Sequence, residues 1–230
     1  MKFSKYIDYT NLKPTAMEAD IRRLCEEALH YDFASVCVNP CDVALAASLL
    51  EGSDVAVCTV IGFPLGRNTT QIKVAEAEKA LADGCTEFDM VLNVGWLKEK
   101  KYDAVRADIS AVVNAVPQKT VKVILETGFL TPEEVAVATV LSCEAGARFV
   151  KTCTGFTGGV ATEEAVHIMK SNVTPGVLVK ASGGIRSYRD AAAMIAAGAD
   201  RIGTSAGIAI TEDYFKSQNK QNVTNSTIRL

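Results

Sequence analysis

The chain has 230 residues, enough for one large domain or two small ones. Hydrophobic residues make up 48% and charged residues 22% of the sequence, a globular composition that excludes a disordered or collagen-like chain. The net charge of −3 excludes the strongly basic character expected of a nucleic-acid-binding protein.

The sequence indicates neither a membrane segment nor a signal peptide. Its longest nearly apolar stretch, residues 191–199, is too short to cross a bilayer, and residues 1–8 are too polar for a signal peptide. The seven cysteines are an odd number without CxxC pairs, a usage typical of reduced thiols. We therefore expect a cytoplasmic protein.

Apolar β-branched runs alternate with longer helical patterns along the whole chain, which is typical of βαβ units. The first helix is predicted at 15–30, where Thr15 and Glu18 have the spacing of a capping box. Thr131 and Glu134 have the same spacing at the start of a later helix. Eight strands are predicted, at 7–9, 35–38, 55–60, 87–91, 121–125, 149–152, 177–180 and 201–203.

Three segments, 82–89, 144–151 and 196–203, look like copies of one unit in which a glycine ends a helix before a short strand. Eight such units in 230 residues average about 29 residues each. We therefore predict an α/β fold, a (β/α)8 TIM barrel in one domain over 1–216, with a short N-terminal segment and a polar, disordered tail at 217–230. A doubly wound Rossmann sheet is the alternative, but its glycine motifs are absent.

Several charged residues fall on predicted strands that should be buried. Alternation along the strand 87–91 places Asp89 opposite Phe88 and Met90, so Asp89 is expected to point into the barrel. Five more charged residues are predicted to face the barrel interior or to lie near a strand end. They are Asp8, Lys122, Glu126, Lys151 and Lys180. Because unpaired buried charge is costly, these groups either form a structural salt-bridge network or serve chemistry.

Lys151 and Lys180 are one repeat unit apart, so they are predicted to lie on neighbouring strands. At about 6 Å and an effective dielectric near 20, two ammonium groups repel by about 2.8 kcal/mol, or roughly two pKa units. Partial burial adds to this effect. One lysine of the pair would then be largely neutral, as a Schiff-base nucleophile requires.

Glycines follow the last two predicted strands. Gly183 and Gly184 come after Lys180, and Gly203 precedes Ser205. In TIM barrels a phosphate commonly binds at the loops after strands seven and eight. These positions therefore predict a phosphate site, with Gly155 as a third approach to the same anion.

Seven segments together resemble the deoxyribose-phosphate aldolase family. They are IDYTNL at 7–12, SVCVNP at 35–40, VIGFP at 60–64, EFDMVLN at 87–93, KVILETG at 122–128, FVKTCTG at 149–155 and KASGGIR at 180–186. The resemblance implies a class I aldolase without metal or cofactor. Its reaction would be the reversible cleavage of 2-deoxy-D-ribose 5-phosphate to D-glyceraldehyde 3-phosphate and acetaldehyde.

The resemblance also implies roles for individual residues. Lys151 resembles the Schiff-base lysine, Lys180 the neighbour that lowers its pKa, and Asp89 the group that gives and takes protons. The implied substrate pocket adds Asp8, Thr10, Lys122, Cys37 and Thr154. The implied phosphate-binding residues are Gly155, Gly183, Gly184, Gly203 and Ser205. Phosphosugar and aldehyde substrates are the implied partners, and a homo-oligomer, either dimer or tetramer, is left open.

Three positions depart from the family pattern. Cys153 replaces a common serine, Phe156 stands where some members carry a lysine near the phosphate, and no tyrosine follows Tyr214. These differences bear on rate and phosphate affinity rather than on the type of reaction.

Two other functions use the same barrel. A phosphosugar isomerase would need carboxylates as acid and base, and the lysine pair argues against it. A catalytically silent phosphate-binding barrel would be expected to lack Lys151, Lys180 or Asp89, and all three are present. The two histidines, His30 and His167, lie in helical patterns, which disfavours histidine triads and histidine-ligated metals.

Overall fold

A computed structural model describes residues 2–227 of the chain, with side chains through residue 218. Eight parallel strands form a closed barrel in which each strand pairs with the next and the last pairs with the first. The predicted (β/α)8 TIM barrel is therefore confirmed. None of the helices in the described residues combines the length and apolar content needed to cross a bilayer.

All eight predicted strands are present, and their ends differ from the prediction by at most two residues. The strands are β1 (Ile7–Asn11), β2 (Ser35–Val38), β3 (Ala56–Ile61), β4 (Glu87–Val91), β5 (Thr120–Ile124), β6 (Phe149–Lys151), β7 (Leu178–Ser182) and β8 (Arg201–Thr204).

Helices follow the strands and surround the barrel. They are α1 (Glu18–Tyr31), α2 (Val43–Leu49), α3 (Thr70–Ala82), α4 (Val94–Lys98), α5 (Tyr102–Ala115), α6 (Pro132–Glu144), α7 (Glu163–Asn172), α8 (Tyr188–Ala196) and α9 (Gly207–Thr227). Short 3-10 turns lie at Phe3–Tyr6, Pro40–Asp42 and Thr127–Phe129. The main apolar core lies between the outer face of the barrel and these helices.

The two predicted capping boxes have different outcomes. Thr131 and Glu134 form one at the start of α6, as predicted. The box predicted at Thr15 and Glu18 was wrong, because a turn closed by the Ala16 N–H and the Lys13 carbonyl at 3.1 Å occupies this segment. The helix begins only at Glu18, and the Asp20 carboxylate accepts the Met17 N–H at 3.1 Å.

The final helix differs from the expected disordered tail. The backbone of α9 is helical to Thr227, through most of the segment predicted to be disordered. Neither glycine nor proline follows Gly207 to interrupt a helix. Residues 228–230 of the predicted tail lie outside the described residues, and the domain boundary at 216 stays a prediction.

A buried ion pair joins α3 and α5 beside the end of β4. Lys73 Nζ lies 2.6 Å from Asp108 Oδ2 and donates a second hydrogen bond, at 3.0 Å, to the Val91 carbonyl. The Thr70 hydroxyl donates to the other carboxylate oxygen of Asp108 at 2.8 Å. Both charged side chains are almost fully buried. The pair therefore ties two helices to the strand that carries Asp89.

We predict that Lys73→Met lowers the free energy of unfolding by about 3 kcal/mol or more, because it leaves the Asp108 carboxylate buried without its cation. Urea denaturation measures the effect. The matched control is Lys79→Met in the same helix, which removes an exposed pair with Asp83 and should change stability little. Equal effects of the two substitutions would contradict the prediction.

Candidate active site

Charged side chains from six strands meet inside the barrel. Alternation along β4 turns Phe88 and Met90 toward the outer apolar core and Asp89 toward the interior, as predicted. Among the side chains described, those in this charged network belong to Asp8, Glu87, Asp89, Lys122, Lys151, Lys180 and Arg201.

The Asp89 carboxylate lies at the centre of this network. Its Oδ1 accepts hydrogen bonds from Lys122 Nζ at 2.9 Å and from Cys58 Sγ at 3.2 Å. Its Oδ2 accepts from Lys151 Nζ at 2.8 Å and from Lys180 Nζ at 2.7 Å. One buried carboxylate therefore holds three lysine side chains.

Lys151 and Lys180 lie side by side, as the sequence predicts. They are directly paired in the register of β6 and β7. Because both amines contact the same oxygen of Asp89, their nitrogens are no more than about 5.5 Å apart, the two contact distances laid end to end. Two positive charges at this distance repel each other strongly in a buried site.

The neighbouring carboxylates keep Lys180 charged. Lys180 Nζ also lies 2.6 Å from Asp8 Oδ2. Burial by itself lowers the pKa of Lys180, but the charges of Asp8 and Asp89 outweigh it and raise this pKa above its usual value. Lys180 therefore stays cationic because it sits between two carboxylates, and the expected neutral amine in the pair stays a prediction.

The pKa values of the two aspartates shift downward, in the opposite direction to that of Lys180. Burial raises the pKa of Asp89, but Lys122, Lys151 and Lys180 outweigh it and hold this pKa well below its usual value. Burial likewise raises the pKa of Asp8, and the charges led by Lys180 lower it overall. Both carboxylates are therefore ionised at neutral pH.

Two further charged residues, Glu87 and Arg201, join the network from the start of their strands. Neither was predicted from the sequence as a site residue. Glu87 Oε2 lies 2.6 Å from Lys122 Nζ, and Arg201 contacts Asp8 Oδ1 at 2.6 Å. Strand alternation carries a signal for Glu87, since it has the same inward parity as Asp89. Arg201 is paired in register with Lys180, and that pairing shows only in the assembled barrel.

Glu126 does not join the lysines, contrary to the prediction. Strand β5 ends at Ile124, and Glu126 has a left-handed backbone with φ 56°. Its carboxylate accepts the backbone N–H of Thr154 at 3.2 Å. The alternation that predicted an inward, clustered position therefore stops before this residue.

Cys37 is fully buried beside Cys58 in a small apolar cluster that also includes Leu12 and Val60. A hydrogen bond with the Cys58 thiol lowers the pKa of Cys37, whereas burial raises the pKa of Cys58. Cys37, Cys58 and Asp89 are also the one group within the described residues whose ligand atoms could surround a metal ion. A divalent cation there would compete with the ammonium groups that already contact Asp89. The absence of a metal stays a prediction.

A cavity of about 240 Å³ opens at the carboxyl ends of the strands. Lys151 is the only lysine of the interior network that lines it, while Lys122 and Lys180 are fully buried below. The Thr10 hydroxyl donates to the Asp8 carbonyl at 3.0 Å at the edge of the cavity. The other predicted site residues that line it are Thr154, Gly155, Gly183, Gly184, Gly203 and Ser205. Asp8, Asp89 and Cys37 lie outside its lining.

Comparisons with known proteins agree with this geometry. Residues 3–215 match the family described as DeoC/LacD family aldolase. The chain belongs to this aldolase family. It is 56% identical to the deoxyribose-phosphate aldolase of Macrococcus caseolyticus and 58% identical to that of Streptococcus sanguinis, in both cases over 91% of this chain and 96% of the relative.

A solved member of the family has the same fold. The tetrameric deoxyribose phosphate aldolase from Aeropyrum pernix is 36% identical and superimposes with a TM-score of 0.85, over 92% of this chain and 90% of the other. The aldolase family assignment made from the seven sequence segments is thereby confirmed.

We predict that the free energy of unfolding falls as the pH drops below about 4. Unfolded carboxylates take up protons there, while those of folded Asp8 and Asp89 resist protonation. Asp8→Asn is expected to be less stable than the parent protein at pH 7. Below pH 4, its free energy of unfolding should fall less steeply with pH, and the two slopes should differ by up to about 1.4 kcal/mol per pH unit.

Urea denaturation at several pH values between 6 and 2.5 gives the slope of the unfolding free energy against pH for the parent protein and for the variant. Asp54→Asn is the control, because Asp54 is exposed and forms no ion pair with another described residue. Parallel curves for Asp8→Asn and the parent protein would contradict this assignment of charge.

Proposed function

We propose that the enzyme reversibly cleaves 2-deoxy-D-ribose 5-phosphate to D-glyceraldehyde 3-phosphate and acetaldehyde through a Schiff base on Lys151. The observation that carries the proposal is the position of Lys151. It is the only lysine of the interior network at the cavity, and its amine lies within about 5.5 Å of the fixed cation Lys180. The names of the relatives that are 56% and 58% identical support this substrate.

The reaction begins when the neutral amine of Lys151 attacks the C1 aldehyde. The carbinolamine loses water and becomes an iminium. The C3 hydroxyl then gives up its proton to a water molecule, the C2–C3 bond breaks, and its electron pair moves to the iminium nitrogen, which yields glyceraldehyde 3-phosphate and an enamine. Protonation of the enamine at C2 and hydrolysis release acetaldehyde and restore the lysine.

Asp89 and Lys180 serve the steps in which protons move. Asp89 touches Lys151 Nζ at 2.8 Å, close enough to orient the amine and to accept a proton from it in passing. Lys180 supplies a fixed positive charge within about 5.5 Å of the Lys151 amine. Lys122 and Asp8 hold these two groups in place through the contacts described above.

The loops after β7 and β8 are the proposed site for the phosphate. Gly183 and Gly184 have φ of 101° and 79°, a left-handed backbone that turns successive N–H groups the same way. Within residues 2–227, the N–H groups of Gly183, Gly184 and Ser205 donate to no backbone or side-chain acceptor. With Gly155 and Gly203, these residues line the cavity that Lys151 also lines. A sugar whose phosphate binds at the glycines can therefore place its aldehyde in the same cavity as the Lys151 amine.

The isomerase alternative has less support. A carboxylate that moves protons between substrate carbons must reach the substrate. The residues that line the cavity include three cationic side chains and neither aspartate nor glutamate. This favours amine chemistry over carboxylate chemistry at the substrate.

The proposal extends to assembly and compartment. We propose a homo-oligomer on the precedent of the tetrameric relative from Aeropyrum pernix. We also propose a cytoplasmic enzyme, because all seven cysteines are free thiols, as expected in a reducing compartment.

Incubation with acetaldehyde followed by borohydride reduction should attach an ethyl group to Lys151, located by peptide mass spectrometry. Lys151→Leu should abolish labelling. Lys180→Leu should slow it, because the fixed cation beside the amine is lost. Lys119→Leu, at the opposite end of the barrel, is the control. Labelling elsewhere with Lys151 unmodified would refute the Schiff-base assignment.

Acetaldehyde release from deoxyribose 5-phosphate should continue at the same rate in EDTA. Asp89→Asn is expected to lower kcat by about 100-fold or more, because proton transfer loses its acceptor. Circular dichroism checks that the variant is folded. Loss of turnover on chelation, or a fully active Asp89→Asn enzyme, would argue against this mechanism.

A further inference from the structure

An aromatic side chain lies among the residues that line the proposed phosphate site. Phe156 lines the cavity, is half exposed, and packs edge-on against Phe63 with ring centroids 5.2 Å apart. An aromatic ring cannot neutralise a phosphate dianion. The positive charge for this ligand must therefore come from another part of the cavity.

Three cationic side chains line the cavity: Lys13, Lys151 and Arg186. Lys151 is in contact with Asp89 and is the proposed nucleophile. Arg186 follows the glycines on the β7 loop, so it lies on the same side as Gly183 and Gly184. Lys13 lines the cavity from the loop between β1 and α1, and β1 is the neighbour of β8 in the barrel.

Lys13 lies next to one of the free N–H donors. Lys13 and Ser205 both line the main cavity and also share a neighbouring one of about 140 Å³. The backbone of Lys13 is fixed by its N–H, which donates to Asn11 Oδ1 at 3.3 Å. Lys13 therefore borders the Ser205 side of the proposed phosphate site.

The Lys13 amine is also available. Within side chains 2–218 it takes part in no hydrogen bond or ion pair. The acidic residues of the neighbouring cavity have other partners: Asp20 contacts Arg23 at 2.7 Å, and Glu27 accepts from the Tyr9 hydroxyl at 2.8 Å. An unpaired cation beside unpaired N–H donors is the arrangement that binds an anion.

We propose that Lys13 is a specificity residue that supplies positive charge to the substrate phosphate from the loop between β1 and α1. Lys13 would thus favour the phosphorylated sugar over its unphosphorylated form. This inference rests on the proposed function for the identity of the sugar, but not for the binding of phosphate itself.

Binding of inorganic phosphate, measured by calorimetry on the full chain, tests the site independently of catalysis. Lys13→Met should weaken binding about tenfold. Lys13→Arg, which keeps the charge, should stay within about twofold of the parent protein. Lys119→Met, an exposed lysine at the other end of the barrel, should have no effect. Equal affinity of Lys13→Met and the parent protein, or equal weakening by both Lys13 variants, would overturn the proposal.

Exchange of the two positions gives a second test. Phe156→Lys added to Lys13→Met should restore most of the phosphate affinity, because a cation returns to the same cavity. A double variant that binds no better than Lys13→Met would contradict the claim that a lysine charge in this cavity binds the phosphate.

Kinetics connect the site to the substrate. The ratio of kcat/KM for deoxyribose 5-phosphate to that for deoxyribose should fall about tenfold in Lys13→Met, mainly through a higher KM. An unchanged ratio would overturn the specificity role. If the parent protein binds phosphate through Lys13 but releases no acetaldehyde from the sugar phosphate, the proposed function fails and the anion site stands.

Discussion

The Asp89 carboxylate is the interaction on which the barrel interior depends. Three ammonium groups in a buried space would repel one another, and burial would strip each of its water. Asp89 contacts all three, and Asp8 and Glu87 add two more negative charges from neighbouring strands. The interior is therefore a network of alternating charge rather than a collection of separate ion pairs.

The depth of each lysine in this network separates their roles. Lys122 and Lys180 are fully buried among carboxylates, which keeps both cationic. Lys151 lies at the end of its strand and touches only Asp89 among the described carboxylates, while its other side faces the cavity. The same carboxylate that stabilises the buried cations thus orients the amine that meets the substrate.

Much of the barrel was predictable because it follows from local patterns. Alternation along β4 predicted that Asp89 faces inward, and the repeat spacing predicted that Lys151 and Lys180 are neighbours. The charge state of Lys180 was not predictable from spacing, since it depends on Asp8, which comes from a strand far away in sequence. Glu126 shows a local limit, because a left-handed residue ends the alternation on which the prediction relied.

The central claim is that Lys180 is the permanent cation beside Lys151. The most direct measurement is the carbon-13 chemical shift of the lysine ε-methylene groups against pH, with Lys180 assigned by its substitution. We expect the Lys180 signal to remain that of an ammonium group to about pH 10, close to where free lysine titrates. Deprotonation of Lys180 below about pH 9 would contradict the account, since Lys151 would then lack its charged neighbour.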